Sequence, residues 1–320
     1  MKKIAIMFTA AVITVACGKK QNNDTITENS TATTELSGTI KVDGSSTVFP
    51  ITEAVAEEFR VTEPKVKVTV GVSGTGGGFK KFSRGETNLS NASRPIKSKE
   101  QAACEANNIK YLELEVAYDG LAVTINPEND WVDSFTVEEL KKIWEPTAQG
   151  TIMKWNQIRP EWPNEEIHLF GPGTASGTYD YFAEAICGKK VGTRGDYTAS
   201  EDDHVLVQGI AGDKYALGFF GLAYYSENKD KLSLVGVHNG TEVIKPSLET
   251  VKNGTYKPLS RPLFVYVNST SVKSPEVVKF VDFYIDNAGE LSKDVGYIPL
   301  PAEKYTAQKE NFKTFVESNK

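Results

Sequence analysis

Five of the glycines in this chain crowd into the eight residues from Gly71 to Gly78, behind valines at 66, 68, 70 and 72 and ahead of Phe79 and Phe82. A strand that ends in small residues and passes at once into a helix is the joint of an α/β unit, and glycines there let the backbone approach another group closely. The same joint occurs twice more. Asp43-Gly44-Ser45-Ser46-Thr47-Val48-Phe49-Pro50 lies between a strand pattern at 39–42 and a helix pattern carrying Ile51, Ala54, Val55 and Phe59. Gly171-Pro172-Gly173-Thr174-Ala175-Ser176-Gly177-Thr178 lies between a strand pattern at 167–170 and a helix with Tyr179, Phe182, Ala183 and Ile186 on one face. Further strand patterns at 111–116, 121–125, 217–220 and 263–267 alternate with helices. One helix opens on a capping box, Thr136 and Glu139 before Leu140 and Ile143, and another on Ser274-Pro275 before Val278, Val281 and Ile285. This alternation predicts an α/β fold with parallel strands.

Each joint combines hydroxyls with the free amides of a helix start, and both favour a bound anion. A single Ser or Thr before a helix is usually only its cap. Three such turns at the carboxyl edge of one sheet open on one crevice, which points to an oxyanion site. Micromolar binding needs about 8 kcal/mol net, while a helix end supplies about 0.3 to 1 kcal/mol and a hydrogen bond to a charged group about 1.5 to 3. Desolvating a dianion takes much of that gain, so a fixed positive charge with forked donors is expected beside the turns. Arg94 fits, at the end of the strand-like stretch 88–94 and held out of a helix by Pro95.

At 320 residues the chain has the length of two domains, and 39% apolar content supports packed cores. A net charge of −6 argues against nucleic acid or an anionic membrane surface as partner. Lys2 and Lys3 precede an uncharged run to Ala16 that is too short to span a bilayer, and Thr14-Val15-Ala16-Cys17 follows the pattern of a bacterial lipoprotein signal. The expectation is a signal peptide at 1–16, export, lipidation of Cys17 and a flexible polar tether over 17–37. Losing the first 16 residues removes two lysines and no acid, so the mature chain sets 34 basic against 42 acidic residues. Cys104 and Cys187 are placed as either a disulfide or two small buried hydrophobes. His168, His204 and His238 are isolated, no zinc pattern is present, and no metal or cofactor is expected. A secreted phosphatase-like hydrolase is the competing class. Neither Ser46 nor Ser176 sits in a G-x-S-x-G elbow, and Gly188-Lys189-Lys190 lacks the leading glycine and the Ser/Thr of a Walker A loop, so catalysis is not expected.

The segments DGSSTVFP (43–50), SGTGGGF (73–79), SNASRPI (90–96), AYDGLAV (117–123), FGPGTASGTYDYF (170–182) and TASEDDHVLVQGIAGDKYALGFFG (198–221) run through the chain in the order of one family. The chain resembles the PstS-type phosphate-binding subunits of bacterial phosphate ABC transporters, periplasmic solute-binding proteins. The resemblance implies a two-lobed periplasmic-binding-protein fold of type II, with a hinge of two crossing strands and phosphate closed between the lobes. Lobe one is expected at 38–126 plus 262–320 and lobe two at 127–261. Carried over by position, Ser45, Ser46 and Thr47, then Thr75 and Gly76, then Ser176, Gly177 and Thr178 bind phosphate, with Arg94 as the clamp. The implied partners are inorganic phosphate and the membrane permease subunits. The protein would be a monomer at the periplasmic face of a bacterial membrane, held only by its lipid at Cys17.

The chain departs from the family pattern at two places. Many members carry an arginine just before the third turn and an aspartate in place of Arg94; here the turn offers Pro172. Relatives with the SNASR form often carry an acid in the third turn, where this chain has Ala175. A carboxylate acceptor admits the proton of hydrogen phosphate and repels sulfate. Asp43 and Asp119 are the candidates, and Asp119, beside the expected crossing, is the expected acceptor. Without an acid at 175, sulfate, molybdate and tungstate stand as alternative ligands.

Overall fold

Each of the three joints folds as a strand running directly into a helix. In chain order the strands are β1 (Gly38–Gly44), β2 (Val66–Val72), β3 (Leu89–Ala92), β4 (Tyr111–Ile125), β5 (Ser134–Phe135), β6 (His168–Pro172), β7 (Thr198–Ser200), β8 (Ala216–Gly221), β9 (Ser233–Leu234), β10 (Gly236–His238), β11 (Val243–Ile244) and β12 (Ser260–Asn268). The helices are α1 (Phe49–Thr62), α2 (Gly74–Phe82), α3 (Ser98–Ala106), α4 (Val137–Trp144), α5 (Gly177–Phe182), α6 (Asp203–Ala211), α7 (Leu222–Glu227), α8 (Leu248–Lys252), α9 (Pro275–Asp294) and α10 (Ala302–Ser318). The computed structural model describes residues 35–174, 176–200 and 202–320. The expected signal peptide, Cys17 and most of the tether lie outside the described residues, as do Ala175 and Glu201.

The sheet order is β2-β1-β3-β12-β4-β8-β6-β7, with β9 against β4; a smaller sheet runs β11-β10-β5. β1 is parallel to β2 and β3, and β6 is parallel to β7 and β8, where helices make the crossovers. The middle departs from the all-parallel expectation. β12 is antiparallel to β3 and β4, and β4 is antiparallel to β8. β4 is a single strand of 15 residues where the pattern suggested two, because Tyr118-Asp119-Gly120 breaks the apolar alternation without breaking the ladder. It pairs with β12 as far as Gly120 and with β8 from Leu121 onward. The chain therefore passes between its two lobes on β4 and on β12. A third segment braces the crossing, since Tyr118 and Ile298 exchange backbone hydrogen bonds at 2.8 and 3.0 Å.

Separate cores aim the turns. In lobe one Ile51, Val55 and Phe59 of α1 are buried, and Phe59 meets Phe280 of α9 edge-on at 5.1 Å between ring centroids. Phe79 of α2 packs on Tyr266 of β12 at 4.8 Å. In lobe two Phe182 of α5 stacks on Phe219 of β8 at 3.6 Å, and Trp144 closes on both rings. The capping box at Thr136 and Glu139 starts α4 as its spacing requires, and Asp202 caps α6. Cys104 and Cys187 are free thiols buried in different cores; burial pushes the Cys187 thiol up to about 11.

The glycine cluster serves close packing. A Cβ on Gly78 would lie 2.6 Å from Gly44 Cα and 2.9 Å from the Asp43 carbonyl oxygen, so only glycine lets α2 settle directly on the end of β1. The second turn is thereby pressed against the first.

Candidate functional site

The first turn is built to leave its amides open. The Ser45 amide donates to the Asn91 carbonyl of β3 at 2.9 Å, and the Phe49 amide donates back to the Ser45 carbonyl at 3.1 Å. Between them the amides of Ser46, Thr47 and Val48 make no hydrogen bond among the described residues, and no side chain caps α1. Asp43, one of the two candidate acids, points elsewhere. Its carboxylate accepts from Ser73 and, at 2.6 Å, from Lys81, and it lines a separate cavity with Thr69 and Lys41.

The second turn reaches Arg94. The Thr75 hydroxyl accepts from the Ser93 amide at 3.1 Å and lies 3.1 Å from the Ser93 hydroxyl. Gly76 is so close that a Cβ on it would lie 3.9 Å from Arg94 Nη2. The Arg94 guanidinium forms a fork with Glu100 at 2.8 and 2.7 Å and sits over the Phe79 ring. Burial works against the Glu100 carboxylate, but the Arg94 guanidinium and the Lys97 amide together outweigh it and hold that carboxyl below its usual range.

The third turn is partly self-satisfied. The Ser176 hydroxyl accepts from the Thr178 amide at 3.1 Å and so caps α5, which continues as a π-turn through Ala183–Cys187. The turn also abuts the first turn across the cleft. A Cβ on Gly177 would lie 2.7 Å from Thr47 Cα, the Thr47 hydroxyl donates to the Gly177 carbonyl at 3.5 Å, and Ser46 donates to Asp180 at 3.1 Å.

Arg261 on β12 was not among the residues singled out from the sequence, yet it joins these parts. Its Nη2 donates to the Thr47 hydroxyl at 2.9 Å, and its Nε and Nη2 both lie 3.3 Å from Asp119 Oδ2, its register partner on β4. Its guanidinium carbon lies over the Tyr181 ring, 3.5 Å from the centroid. First turn, hinge and lobe two thus meet on one side chain that is 17% exposed, against an Asp119 that is 3% exposed. Burial pushes the Asp119 carboxyl above its usual range, against the pull of Arg261.

Two adjoining cavities divide the expected site residues. Ser45, Ser46, Thr47, Thr75, Gly76 and Arg94 line one of about 490 Å³, together with Arg261, Asp180 and Tyr181. Asp119, Ser176, Gly177 and Thr178 line a second of about 420 Å³, and Ser46 borders both. The first two helix starts and both guanidinium groups therefore line one cavity, which α5 borders through Tyr179, Asp180 and Tyr181, while the third helix start itself lines the adjoining one.

The sequence matches the PBP superfamily domain over residues 29–288. It is 52% identical over 276 residues to Protein SphX of Synechococcus elongatus, covering 86% of this chain and 81% of that one. It is 38% identical over 316 residues to the phosphate-binding protein PstS of Staphylococcus saprophyticus, covering 96% and 93% of the two chains. The chain belongs to the PstS family of the PBP superfamily. A possible phosphate binding protein from Planctomyces limnophilus has the same fold, with a TM-score of 0.83, 48% identity, and coverage of 89% of this chain and 99% of that one. PstS-family membership makes this a binding protein rather than an enzyme. Among the described residues no group of three His, Cys, Asp or Glu side chains could hold a metal ion, and no helix is long and apolar enough to cross a membrane. His168 lies beside Asp213 at 2.5 Å at the start of β6, the end of that strand away from the third turn.

Proposed function

We propose that the chain binds inorganic phosphate in the cleft between its lobes and hands it to the membrane subunits of a phosphate ABC transporter. The observation that carries this reading is one cavity lined by the first two helix starts, Arg94 and Arg261, with the third helix start on the cavity adjoining it. Ser45, Ser46 and Thr47 of the first turn, Thr75 and Gly76 of the second, and Ser176, Gly177 and Thr178 of the third donate to phosphate oxygens. Arg94 and Arg261 supply the fixed charge. The names of the PstS relatives support phosphate as the oxyanion. Four or five hydrogen bonds to a charged ligand, at about 1.5 to 3 kcal/mol each, leave room for desolvation and still reach the roughly 8 kcal/mol of micromolar affinity.

Ligand contacts that exist only between closed lobes favour the closed form, and the transporter reopens it. Lobe one comprises 38–126 plus 262–320 and lobe two 127–261, with the crossing strands as hinge. Export and a lipid at Cys17 keep the monomer at the periplasmic face of the membrane.

Asp119 supplies selectivity in this scheme. Oδ2 is taken by Arg261, and Oδ1 has no hydrogen-bond partner among the described residues, which leaves it to accept the proton of hydrogen phosphate. Sulfate offers no such proton. In Asp119→Asn the amide can donate instead, and sulfate affinity relative to phosphate should rise by about tenfold or more in competition calorimetry. An unchanged ratio would remove Asp119 from this role.

A further inference from the structure

The larger cavity carries more positive charge than the three turns account for. Beside the turns it is lined by Gly188, Lys189, Lys190 and Gly192 of lobe two. The two inner guanidinium groups each bring their own carboxylate, Glu100 for Arg94 and Asp119 for Arg261. Lys189 reaches Glu184 only at 3.8 Å, with both side chains more than half exposed. Lys190 makes no ion pair or hydrogen bond among the described residues. It is the cation at this cavity without a partner.

The backbone holds it there under strain. Lys190 has φ of 65°, a left-handed conformation that a lysine seldom adopts. The turn cannot easily relax, because it is tied at both ends. On one side the Gly188 amide closes on the Ala183 carbonyl at 3.0 Å. On the other the Thr193 amide and hydroxyl both reach the Tyr179 hydroxyl, and the next residue, Arg194, is buried and bonded to Asp196 and to the Ile152 carbonyl. Strain kept in place by surrounding structure marks functional positions.

We infer that Lys190, aided by Lys189, forms an outer anion site that captures phosphate before it reaches the three turns. This rests on the phosphate reading. A dianion approaching a chain of net charge −6 is repelled at long range. An uncompensated ammonium at the cleft raises its local concentration and its association rate, by about tenfold upward where the field is well focused. The turns and guanidinium groups then retain the ion, so the outer site acts on entry and leaves escape from the closed cleft largely unaffected. The effect depends on salt, because the screening length falls from about 20 Å at low salt to about 4 Å near 0.5 M.

The test mixes the full chain with inorganic phosphate in stopped flow, read by tryptophan fluorescence through Trp144 on Phe182 of α5, and in calorimetry, each at about 20 mM and about 500 mM salt. Lys190→Gln and Lys190→Gly both remove the charge, and the glycine also relieves the strained φ. At low salt both should lower the association rate about three- to tenfold, keep the dissociation rate within about twofold, and weaken calorimetric affinity by the same factor as the association rate. At high salt the difference from the native chain should largely vanish. Native-like rates and affinities at low salt would overturn the outer site, and so would a loss of equal size at both salts, which marks altered shape instead of lost charge. A native chain that gives no heat with phosphate would overturn the phosphate reading and this site with it.

Discussion

Replacing Arg261 with alanine should weaken phosphate binding by about 2 to 5 kcal/mol, a loss of roughly thirtyfold to several thousandfold. The side chain lies on the hinge strand, touches Thr47 of the first turn, and rests on Tyr181 of lobe two. Its removal takes away a forked donor and leaves the Thr47 hydroxyl with only its long bond to the Gly177 carbonyl. It also strands Asp119, which is 3% exposed and has Arg261 as its ionic partner. Burial already raises that carboxyl, and without the guanidinium it rises further. A folded-state value above the unfolded value of about 3.9 stabilises the fold below that range, and this contribution is lost as pH rises through the folded value. The stability deficit of Arg261→Ala should therefore be widest at neutral pH and shrink toward pH about 4. Arg261→Lys keeps the charge but loses the fork and the guanidinium over Tyr181, so it should fall between alanine and the native chain. Calorimetry settles the point: an Arg261→Ala affinity within about threefold of native would place the anion away from this side chain.

A single methyl at Gly177 should do nearly as much damage by a different route. The Cβ of Gly177→Ala would sit 2.7 Å from Thr47 Cα and 3.0 Å from the Thr47 amide nitrogen, contacts with backbone that no side-chain rotation relieves. The clash lies between lobes, so each lobe keeps its core and the melting temperature should change little. Closure is what suffers. Overpacking of about 1 to 3 kcal/mol falls on the closed form alone and should reduce phosphate affinity by about fivefold to somewhat over a hundredfold. Small-angle scattering with saturating phosphate should show a larger radius of gyration for Gly177→Ala than for the native chain. Native-like affinity and compaction would mean that these turns need not approach so closely.

The three turns were legible in the sequence because each is local, a strand, a run of small residues and a helix within about fifteen positions. Their arrangement was not: β6 runs opposite to β1 and β2 across the antiparallel middle, so the third turn does not share their sheet edge and meets them only through the crossing on β4 and β12. Arg261 was not. It stands in Ser260-Arg261-Pro262, where proline masks the strand pattern and moves its apparent start to Leu263. Its partner Asp119 is 142 residues away, and only the β4 to β12 register brings them together. The contact of Ser46 with Asp180 spans 134 residues and was hidden for the same reason. Ser176 shows the opposite limit. Its position at a helix start fits a cap and an anion donor equally, and the bond from the Thr178 amide shows the cap occupied. The lysine turn could be read only as a Walker A loop lacking its key residues; its meaning comes from the left-handed φ of Lys190 and the cavity that it borders. The two-residue strands β5, β9 and β11 are too short to carry a period.

The central claim is that one phosphate ion sits between the three turns within reach of Arg261. A crystal structure of the chain grown with millimolar phosphate tests it most directly. The expected density is a single tetrahedral ion within hydrogen-bond distance of the Ser46 and Thr47 amides, the Thr75 hydroxyl and the Arg261 guanidinium, with the lobes closed on it. An ordered phosphate bound away from these groups, with the cleft between the turns holding only water, would contradict it.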